Sequence, residues 1–530
     1  MLESTSANSQ SLPQGCTPNP DRATKGQWCT IPAFTDPVVA IHTTVLPNGK
    51  VLTWGANLAN GNQTQAQLWN PNSPSTPPHQ YTLDASFGNI FCSGHSLMPD
   101  GKLLITGGQE LYPPDGYFTG IAKTAIYDYN GGGGVGTWSS LPQMNDRRWY
   151  PTTLTLGNGS TLVWGGTTIS GGYNSTPQIL EKQFNGNYEW RSLRIKNPEK
   201  YNLLYTWTYL LSSGRVLVVA EQYQKSFLLN LGDRFQNSRL YTYPYSPTWG
   251  EGGMTDPHDA GTSVLYDKDS ILALGGADLP KATGEFINMG GATPQWKRIA
   301  RMQFGRRHAN ATVLPDGKVL VTGGNSNTGF NGNCGEGFVY TAEMWDPASL
   351  SDPLQNDNLY PNIYWKQLAD ASYRRLYHST AVLLPDGRVL SGGTTNYPKE
   401  IPLCRPHKDI YDIEVFYPPY FFKSNGDFED RPVIATAPTT GSYGQPVQFT
   451  VTGAGSNPKV NFIRLPSVTH SFNQNQGVVK FNQPSVNGTN FSVTLPTNRN
   501  EMPPGHYMMF VINTDNNKTV PSVAKIIQVQ

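Results

Sequence analysis

The chain has 530 residues, of which 39 are Lys or Arg and 38 are Asp or Glu, so its net charge is +1; charged residues make up only 15%, while Gly (54) and Pro (42) are abundant. Ordinary domains carry about 25% charged residues and rarely exceed about 250–300 residues around one core, so this composition points to a turn-rich, β-rich chain with several cores or a large repeat fold. Balanced charge argues against nucleic acid or an anionic membrane as the main partner, and no apolar run approaches the ~20 residues of a membrane span.

Met1–Gln10 is polar and lacks the hydrophobic segment of a signal peptide, which leaves either a mature secreted chain or a cytosolic one. Five cysteines are an informative odd number. Cys16 and Cys29 are close in sequence, Cys334 and Cys404 lie in Gly/Asn/Pro-rich loops, and Cys92 is left over inside a strand-like stretch. Two disulfides and one special thiol is the natural reading, and it implies an oxidising compartment. Sequons at Asn62, Asn158, Asn174, Asn310, Asn487, Asn490 and Asn517 permit glycosylation.

One pattern then recurs along the chain: an apolar pair, a tight turn, an apolar strand, often Gly-Gly. It appears at 46–55, 98–108, 157–166, 212–220, 266–276, 314–324 and 384–393, most clearly as Leu314-Pro-Asp-Gly-Lys-Val-Leu-Val-Thr-Gly-Gly. Asp-Gly between apolar strands is a strong hairpin signal, because glycine accepts positive φ. Trp28, Trp138, Trp190, Trp296 and Trp365 repeat near the starts of units. A period of roughly 50 residues or somewhat more with Gly-Gly after a hairpin resembles the kelch repeat, so seven units predict a seven-bladed β-propeller over residues 1–425. The segment before the first turn is expected to supply strand to the last blade and close the ring. Phe416 onward reads as the last blade's outer strand. From about Arg431 the pattern shifts to short alternating strands, which predict an immunoglobulin-like β-sandwich over residues 431–530.

Counting nine residues back from each turn glycine, or from Asp269 in its place, gives Ala40, Cys92, Tyr150, Tyr205, Ala260, His308 and His378. Equivalent positions of successive blades lie on a ring around the central axis. A thiol, two phenols and two imidazoles on one ring suggest a site where a bland scaffold would carry small or apolar groups. Tyr377 stands one residue before His378, and His470 sits in a loop of the second domain in Pro466-Ser-Val-Thr-His-Ser-Phe. Imidazole with phenolate suits Cu(II) better than zinc, and no Cys-x-x-Cys or His-Glu-x-x-His spacing supports a zinc site. The chain has no phosphate-cradling loop, no convincing dinucleotide fingerprint and no nucleophile elbow.

Residues 85–530 resemble the copper-radical oxidases, the family of galactose oxidase and glyoxal oxidase. The motifs are Phe91-Cys-Ser-Gly, Arg148-Trp-Tyr-Pro, Phe304-Gly-Arg, Arg375-Leu-Tyr-His-Ser and Thr469-His-Ser. The resemblance implies one copper ion and a self-made thioether between Cys92 and Tyr150. Tyr150 would be the equatorial ligand and radical-bearing group, Tyr377 the axial tyrosinate that takes the substrate proton, and His378 and His470 the imidazole ligands. Arg306 matches a substrate-contacting position. The tryptophan that stacks over the thioether in galactose oxidase falls on Thr168 here, which leaves Trp207 and Tyr205 as candidate shields. His308 replaces an aromatic residue and either tunes substrate protonation or hydrogen-bonds a blade. The wording around Tyr150 and Tyr377 is closer to glyoxal oxidases.

The leading expectation is therefore a secreted, monomeric oxidase that converts small aldehydes, as hydrates, to carboxylic acids while reducing O2 to hydrogen peroxide. Its partners are a small-molecule substrate and O2, with no nucleic acid or membrane. The alternative is a primary-alcohol or galactose-type carbohydrate oxidase. A non-catalytic kelch interaction module is the distant third.

Overall fold

The structure, a computed structural model, describes residues 12–13, 16–31, 38–56, 64–84, 86–110, 119–168, 172–193, 204–220, 225–231, 239–242, 258–292, 294–328, 336–352, 361–395, 409–515 and 518–530. Cys334 and Cys404 lie outside the described residues, so the second disulfide expected above is not visible. The Cys16–Cys29 disulfide is present, with Cα atoms 4.8 Å apart.

The fold is all-β. The described α-helices are two four-residue turns, Arg22–Lys25 and Pro361–Tyr364. Each recurring turn closes a hairpin as its sequence requires. In the second, Gly101 takes φ 84°, Met98 N–H donates to Lys102 O at 2.8 Å, and Asp100 accepts from Lys102 N–H at 3.1 Å. Glycine holds that left-handed geometry without the Cβ clash that other residues meet.

Every turn joins the first two strands of a four-stranded antiparallel meander. The innermost strands are His42–Val45, Gly94–Leu97, Thr152–Thr155, Trp207–Leu210, Thr262–Asp267, Asn310–Val313 and Thr380–Leu383. Hydrogen bonds link each innermost strand or its leading residues to the next around a closed circuit. Cys92 N–H donates to His42 Nε2 at 3.1 Å, Thr155 Oγ1 to Leu97 O at 2.9 Å, and Thr152 Oγ1 to Thr206 O at 2.9 Å. Tyr209 Oη donates to Ser263 Oγ at 2.5 Å, Ala311 N–H to Thr262 Oγ1 at 3.0 Å, and Asn310 Nδ2 to Ser379 Oγ at 3.0 Å. Thr43 and Thr380 hydroxyls, 2.8 Å apart, complete it. Thr43, Thr152, Thr155, Thr262 and Thr380 of these strands are buried with their hydroxyls hydrogen-bonded to neighbouring segments. This arrangement is a β-propeller.

The N-terminal segment closes the last meander as expected: Gln27–Ile31 pairs antiparallel with Ile413–Tyr417, from Gln27 opposite Tyr417 to Ile31 opposite Ile413. One expectation is corrected here. Phe416 belongs to the third strand of that sheet, because the N-terminal strand takes the outer place. Four of the repeated tryptophans (Trp28, Trp138, Trp190 and Trp365) lie on outermost strands, and Trp296 immediately precedes one. Of the sequon residues, Asn310 and Asn174 are buried and closed to glycosylation.

Residues from Val433 build two further sheets. One orders Val433–Thr436, Pro446–Thr452, Asn490–Thr494 and Ser485–Asn487; the other is centred on Gly505–Asp515 and Lys459–Arg464. Their facing apolar side chains form a separate core that includes Phe449, Phe462, Phe491, Tyr507 and Val511. Arg431 ties this unit to the last meander by donating to Asp386 O, Pro521 O and Ser522 O. The decisive feature for the site is a hairpin from this unit, Ser467–Thr469 and Phe472–Asn473. It wedges between the first and fifth meanders: His42 pairs with Thr469 antiparallel, and Ser263 with Phe472 in parallel. Its tip residue is His470.

Candidate metal centre

In each described meander the innermost strand starts two residues after the position counted from the turn. Six of these seven positions are left-handed although none is glycine: Cys92 (φ 62°), Tyr150 (63°), Tyr205 (47°), Ala260 (55°), His308 (57°) and His378 (66°). Such φ values cost L-residues free energy and persist only where the surroundings over-determine them. At three of these positions a backbone amide contributes. Tyr150 N–H donates to Cys92 O at 3.0 Å, Tyr205 N–H to Tyr150 O at 2.8 Å, and His308 N–H to Ala260 O at 2.6 Å. His470 is left-handed as well, at φ 47°.

These residues meet. The Tyr150 and Tyr377 hydroxyls are in direct contact, and His470 Nε2 lies 3.1 Å from Tyr150 Oη. Ring centroids of His378 and His470 are 4.6 Å apart at 87°, and those of Tyr377 and His378 are 3.7 Å apart. The ligating atoms of Cys92, His378 and His470 lie within 4.8 Å of one another, the one such cluster of His, Cys, Asp or Glu among the described residues. Cys92 and His378 are buried at the base, whereas Tyr150, Tyr377 and His470 are half-buried. The open side of the cluster is therefore the side of the phenols.

Thr469 orients His470. Its hydroxyl donates to Ile41 O at 3.0 Å and lies 2.6 Å from His470 Nδ1. A hydroxyl has one proton, so the oxygen must accept from Nδ1–H, and Nε2 carries a lone pair toward Tyr150. Burial holds both imidazoles neutral: His378 and His470 are pushed well below the ordinary histidine range, His378 with help from His308 and His470 from His378, His42, His308 and His95. Burial, then neighbouring Cys92, pushes both phenols well above their ordinary value. Burial also keeps the Cys92 thiol protonated, with Tyr150 and Trp149 as its side-chain partners.

A metal fits this donor set. Among the described residues, neither ring nitrogen of buried His378 has a hydrogen-bond partner. Two phenols crowd one another beside two imidazole lone pairs. Ionising both phenols without a cation would place two negative charges in a buried site, which is the cost their raised pKa values express. A divalent cation removes that cost and occupies the orphaned imidazole.

Aromatic rings enclose Tyr150. Trp149 stacks on it with centroids 3.8 Å apart at 16°, and Tyr205 stacks at 4.4 Å and 29°. Two near-parallel rings this close to one phenol lie on its opposite faces. Tyr205 donates its own hydroxyl to Ser93 O at 2.9 Å. Trp207, by contrast, packs into the fourth meander with Tyr209, Leu217 and Val219 and does not cover Tyr150. Thr168 turns away too, its hydroxyl donating to Gly172 O at 3.1 Å. The stacking role of Trp149 was missed in the sequence, because a residue adjacent in a strand normally points to the opposite face. The left-handed turn at Tyr150 breaks that rule.

Arg306 is also corrected. Its guanidinium is fully buried and donates to Gly323 O at 2.9 Å, Thr341 O at 2.7 Å and Glu343 Oε2 at 2.5 Å. Arg375 does the same in the last meander with Gly393 O, Asp412 O and Glu414, and Arg148 in the third with Gly165 O, Thr176 O and Gln178. Arg306 is thus one of three equivalent clamps that tie a meander's leading loop to its second and third strands. His308 does join the cluster, with its ring centroid 5.1 Å from that of Tyr377.

A β-propeller with a buried centre of paired phenols and imidazoles, one imidazole delivered from a second unit, defines the class. Comparison with known proteins agrees. Residues 431–529 match the family model "Galactose oxidase-like, Early set domain". Galactose oxidase of Gibberella zeae is 26% identical over 545 residues, covering 95% of this chain and 70% of that protein. "Aldehyde oxidase GLOX" of Vitis pseudoreticulata is 28% identical over 481 residues, covering 83% and 82%. A solved fungal alcohol oxidase of the AA5 family, in complex with copper, superposes with a TM-score of 0.75 at 24% identity over 95% of this chain and 99% of that one, which shows a shared fold. Together these similarities support the copper-radical oxidase family for this chain.

Proposed function

We propose that this protein is an oxygen-dependent copper-radical oxidase whose substrates are small aldehydes, taken as hydrates, in the reaction R–CH(OH)2 + O2 → R–COOH + H2O2. The observation that carries the reading is the convergence of Tyr150, Tyr377, His378 and His470 with the Cys92 thiol beside Tyr150. Copper would be held by Tyr150, Tyr377, His378 and His470, and when bound it orients the substrate hydroxyl, acidifies it and stores one of the two electrons removed. The second electron is held by Tyr150, whose thioether to Cys92 would lower its oxidation potential. Tyr377 Oη, as phenolate, takes the proton of the substrate hydroxyl. Tyr150 Oη then accepts a hydrogen atom from the substrate carbon. Stacked Trp149 and Tyr205 exclude water from the oxidised phenol and spread its unpaired spin. His308 beside Tyr377 offers a hydrogen-bonding group to the second hydroxyl that a hydrate has and an alcohol lacks.

In this reading the meanders within residues 1–425 are seven blades of one propeller, and residues 431–530 are an immunoglobulin-like sandwich that reaches through the ring with His470. Seven four-stranded meanders among the described residues, two of them joined into one ten-stranded sheet by the His470 hairpin, and the closed circuit of inner-strand hydrogen bonds support the count. The protein acts as a secreted monomer; the Cys16–Cys29 disulfide supports an oxidising compartment. A primary-alcohol or carbohydrate oxidase is the second reading, favoured by the similarity to galactose oxidase along 95% of the chain. A peroxide-coupled screen of aldehydes, primary alcohols and sugars on the copper-loaded protein separates the two. Highest kcat/KM on an aldehyde supports the first; highest on an alcohol or sugar replaces it with the second, and no peroxide from any of them refutes both.

A further inference from the structure

The amide of Cys92 is held differently from those of the ring residues that follow it. At three positions the amide of a ring residue donates to the carbonyl of its predecessor: Tyr150 to Cys92, Tyr205 to Tyr150 and His308 to Ala260. The predecessor of Cys92 is Ala40, which is not left-handed, and whose carbonyl already accepts the Thr380 hydroxyl at 3.0 Å. The Cys92 amide turns instead to a side chain and donates to His42 Nε2 at 3.1 Å. His42 is fully buried, and acceptance at Nε2 puts its ring proton on Nδ1.

The first meander brackets the cysteine from two directions. The His42 ring lies flat on Trp54, with centroids 4.8 Å apart at 1°, and Trp54 Nε1–H donates to Ile90 O at 3.3 Å. The backbone of His42 pairs with Thr469, the residue before His470. His42 therefore joins the segment bearing the thiol, through its ring, to the hairpin bearing a proposed ligand, through its backbone. Neither the repeat register nor the family motifs single it out.

We infer that His42 is a positioning residue for thioether formation: its Nε2 stands in for the missing ring carbonyl and holds Cys92 in the left-handed turn that points the thiol at the Tyr150 ring. The inference rests on the copper-radical reading. In the step it serves, the Cys92 S–H and an ortho C–H of Tyr150 are replaced by one C–S bond. The two protons and two electrons released pass to dioxygen, giving hydrogen peroxide. A left-handed cysteine without an amide acceptor relaxes toward ordinary backbone regions and takes the sulfur away from the ring.

The test uses the full-length chain prepared copper-free, as wild type and as His42→Leu, His42→Asn and His42→Gln. Gln places an oxygen level with Nε2, Asn places it level with Nδ1, and Leu removes the acceptor while keeping volume. Two readouts are taken: hydrogen exchange of the peptide containing the Cys92 amide before copper, and the rate at which a peptide pair two hydrogens lighter appears after Cu(II) and air. In Leu and Asn the amide is expected to exchange about tenfold faster or more and the cross-link to form about tenfold more slowly or worse, with Gln close to wild type in both. Where Leu fails to fold, Asn against Gln decides. Equal exchange in all four proteins, a Gln variant as impaired as Leu or Asn, or altered exchange with unaltered cross-linking would overturn the inference. A wild type that never cross-links sinks the copper-radical reading, while the exchange arm still decides whether His42 holds Cys92.

Discussion

Thr469 and His470 are neighbours whose side chains are joined by a hydrogen bond of 2.6 Å, and this bond decides which nitrogen of His470 is available to a metal. The Thr469 hydroxyl spends its proton on Ile41 O, across the boundary between the C-terminal unit and the first meander. The imidazole is therefore oriented by the contact that docks its hairpin. Replacing Thr469 by Val keeps the shape and removes the acceptor. Copper affinity is expected to fall about 10–100-fold, while Thr469→Ser retains it; competition against a chelator of known affinity measures both. A Val variant that binds as tightly as wild type would show that the hydroxyl does not set the tautomer.

Trp149 covers one face of Tyr150. Trp149→Ala is expected to leave thioether formation intact but shorten the lifetime of the oxidised radical form about tenfold or more, because water reaches the ring. Trp149→Phe should lie between. The decay of the radical's optical absorption after one-electron oxidation gives the answer. An unchanged lifetime in the Ala variant would assign the shielding to Tyr205 alone.

Arg306 and Glu343 are both fully buried and paired. Removing one partner strands the other, so Glu343→Leu or Arg306→Leu is expected to lower unfolding free energy by about 3–5 kcal/mol. A variant that remains folded at low temperature should keep its KM within about threefold of wild type. Denaturant unfolding and steady-state kinetics report the two effects separately. A large rise in KM with unchanged stability would restore the substrate-binding role expected from the sequence.

Buried neutral histidines set an acid limit to stability. Burial holds His95 down to about 3, and burial with Arg464 holds His506 down to about 4. In the unfolded chain each titrates near 6.5. Above that pH neither state binds the proton and these groups contribute no pH dependence. Below it the unfolded state binds protons that the folded state refuses, so stability falls as pH drops from about 6.5 toward 4 for His506 and toward 3 for His95. Melting temperatures from pH 7.5 to 4.5 should decline across that window. His506→Gln should decline less steeply, and an identical decline would remove His506 from the account.

The propeller was legible because its repeat is local. Leu-Pro-Asp-Gly and its variants demand a tight turn wherever they occur, and counting from the turn found the positions that begin two residues before every inner strand. Cys92, Tyr150, Tyr205, His308 and His378 were named as one ring on that count alone. Tyr377 and His470 lie off the count, and the family motifs gave them their expected ligand roles.

Other features had no local signal. Arg306 looked like a ligand-facing cation, yet its meaning depends on Glu343, 37 residues away, which closes a buried pair inside the same blade. Trp149 follows the alternation of a strand in sequence but stacks on its neighbour because Tyr150 is left-handed. His42 carries no motif; it matters because Ala40 fails to offer a carbonyl and because Thr469 is its strand partner from a hairpin more than four hundred residues further on. The sequence by itself determined the repeat, the ring positions and the chemical types gathered there, since turn geometry and side-chain chemistry are properties of short segments. Tertiary structure alone decided tautomers, stacking and which buried charge meets which, since these depend on atoms that only ring closure and the inserted hairpin bring within hydrogen-bonding distance.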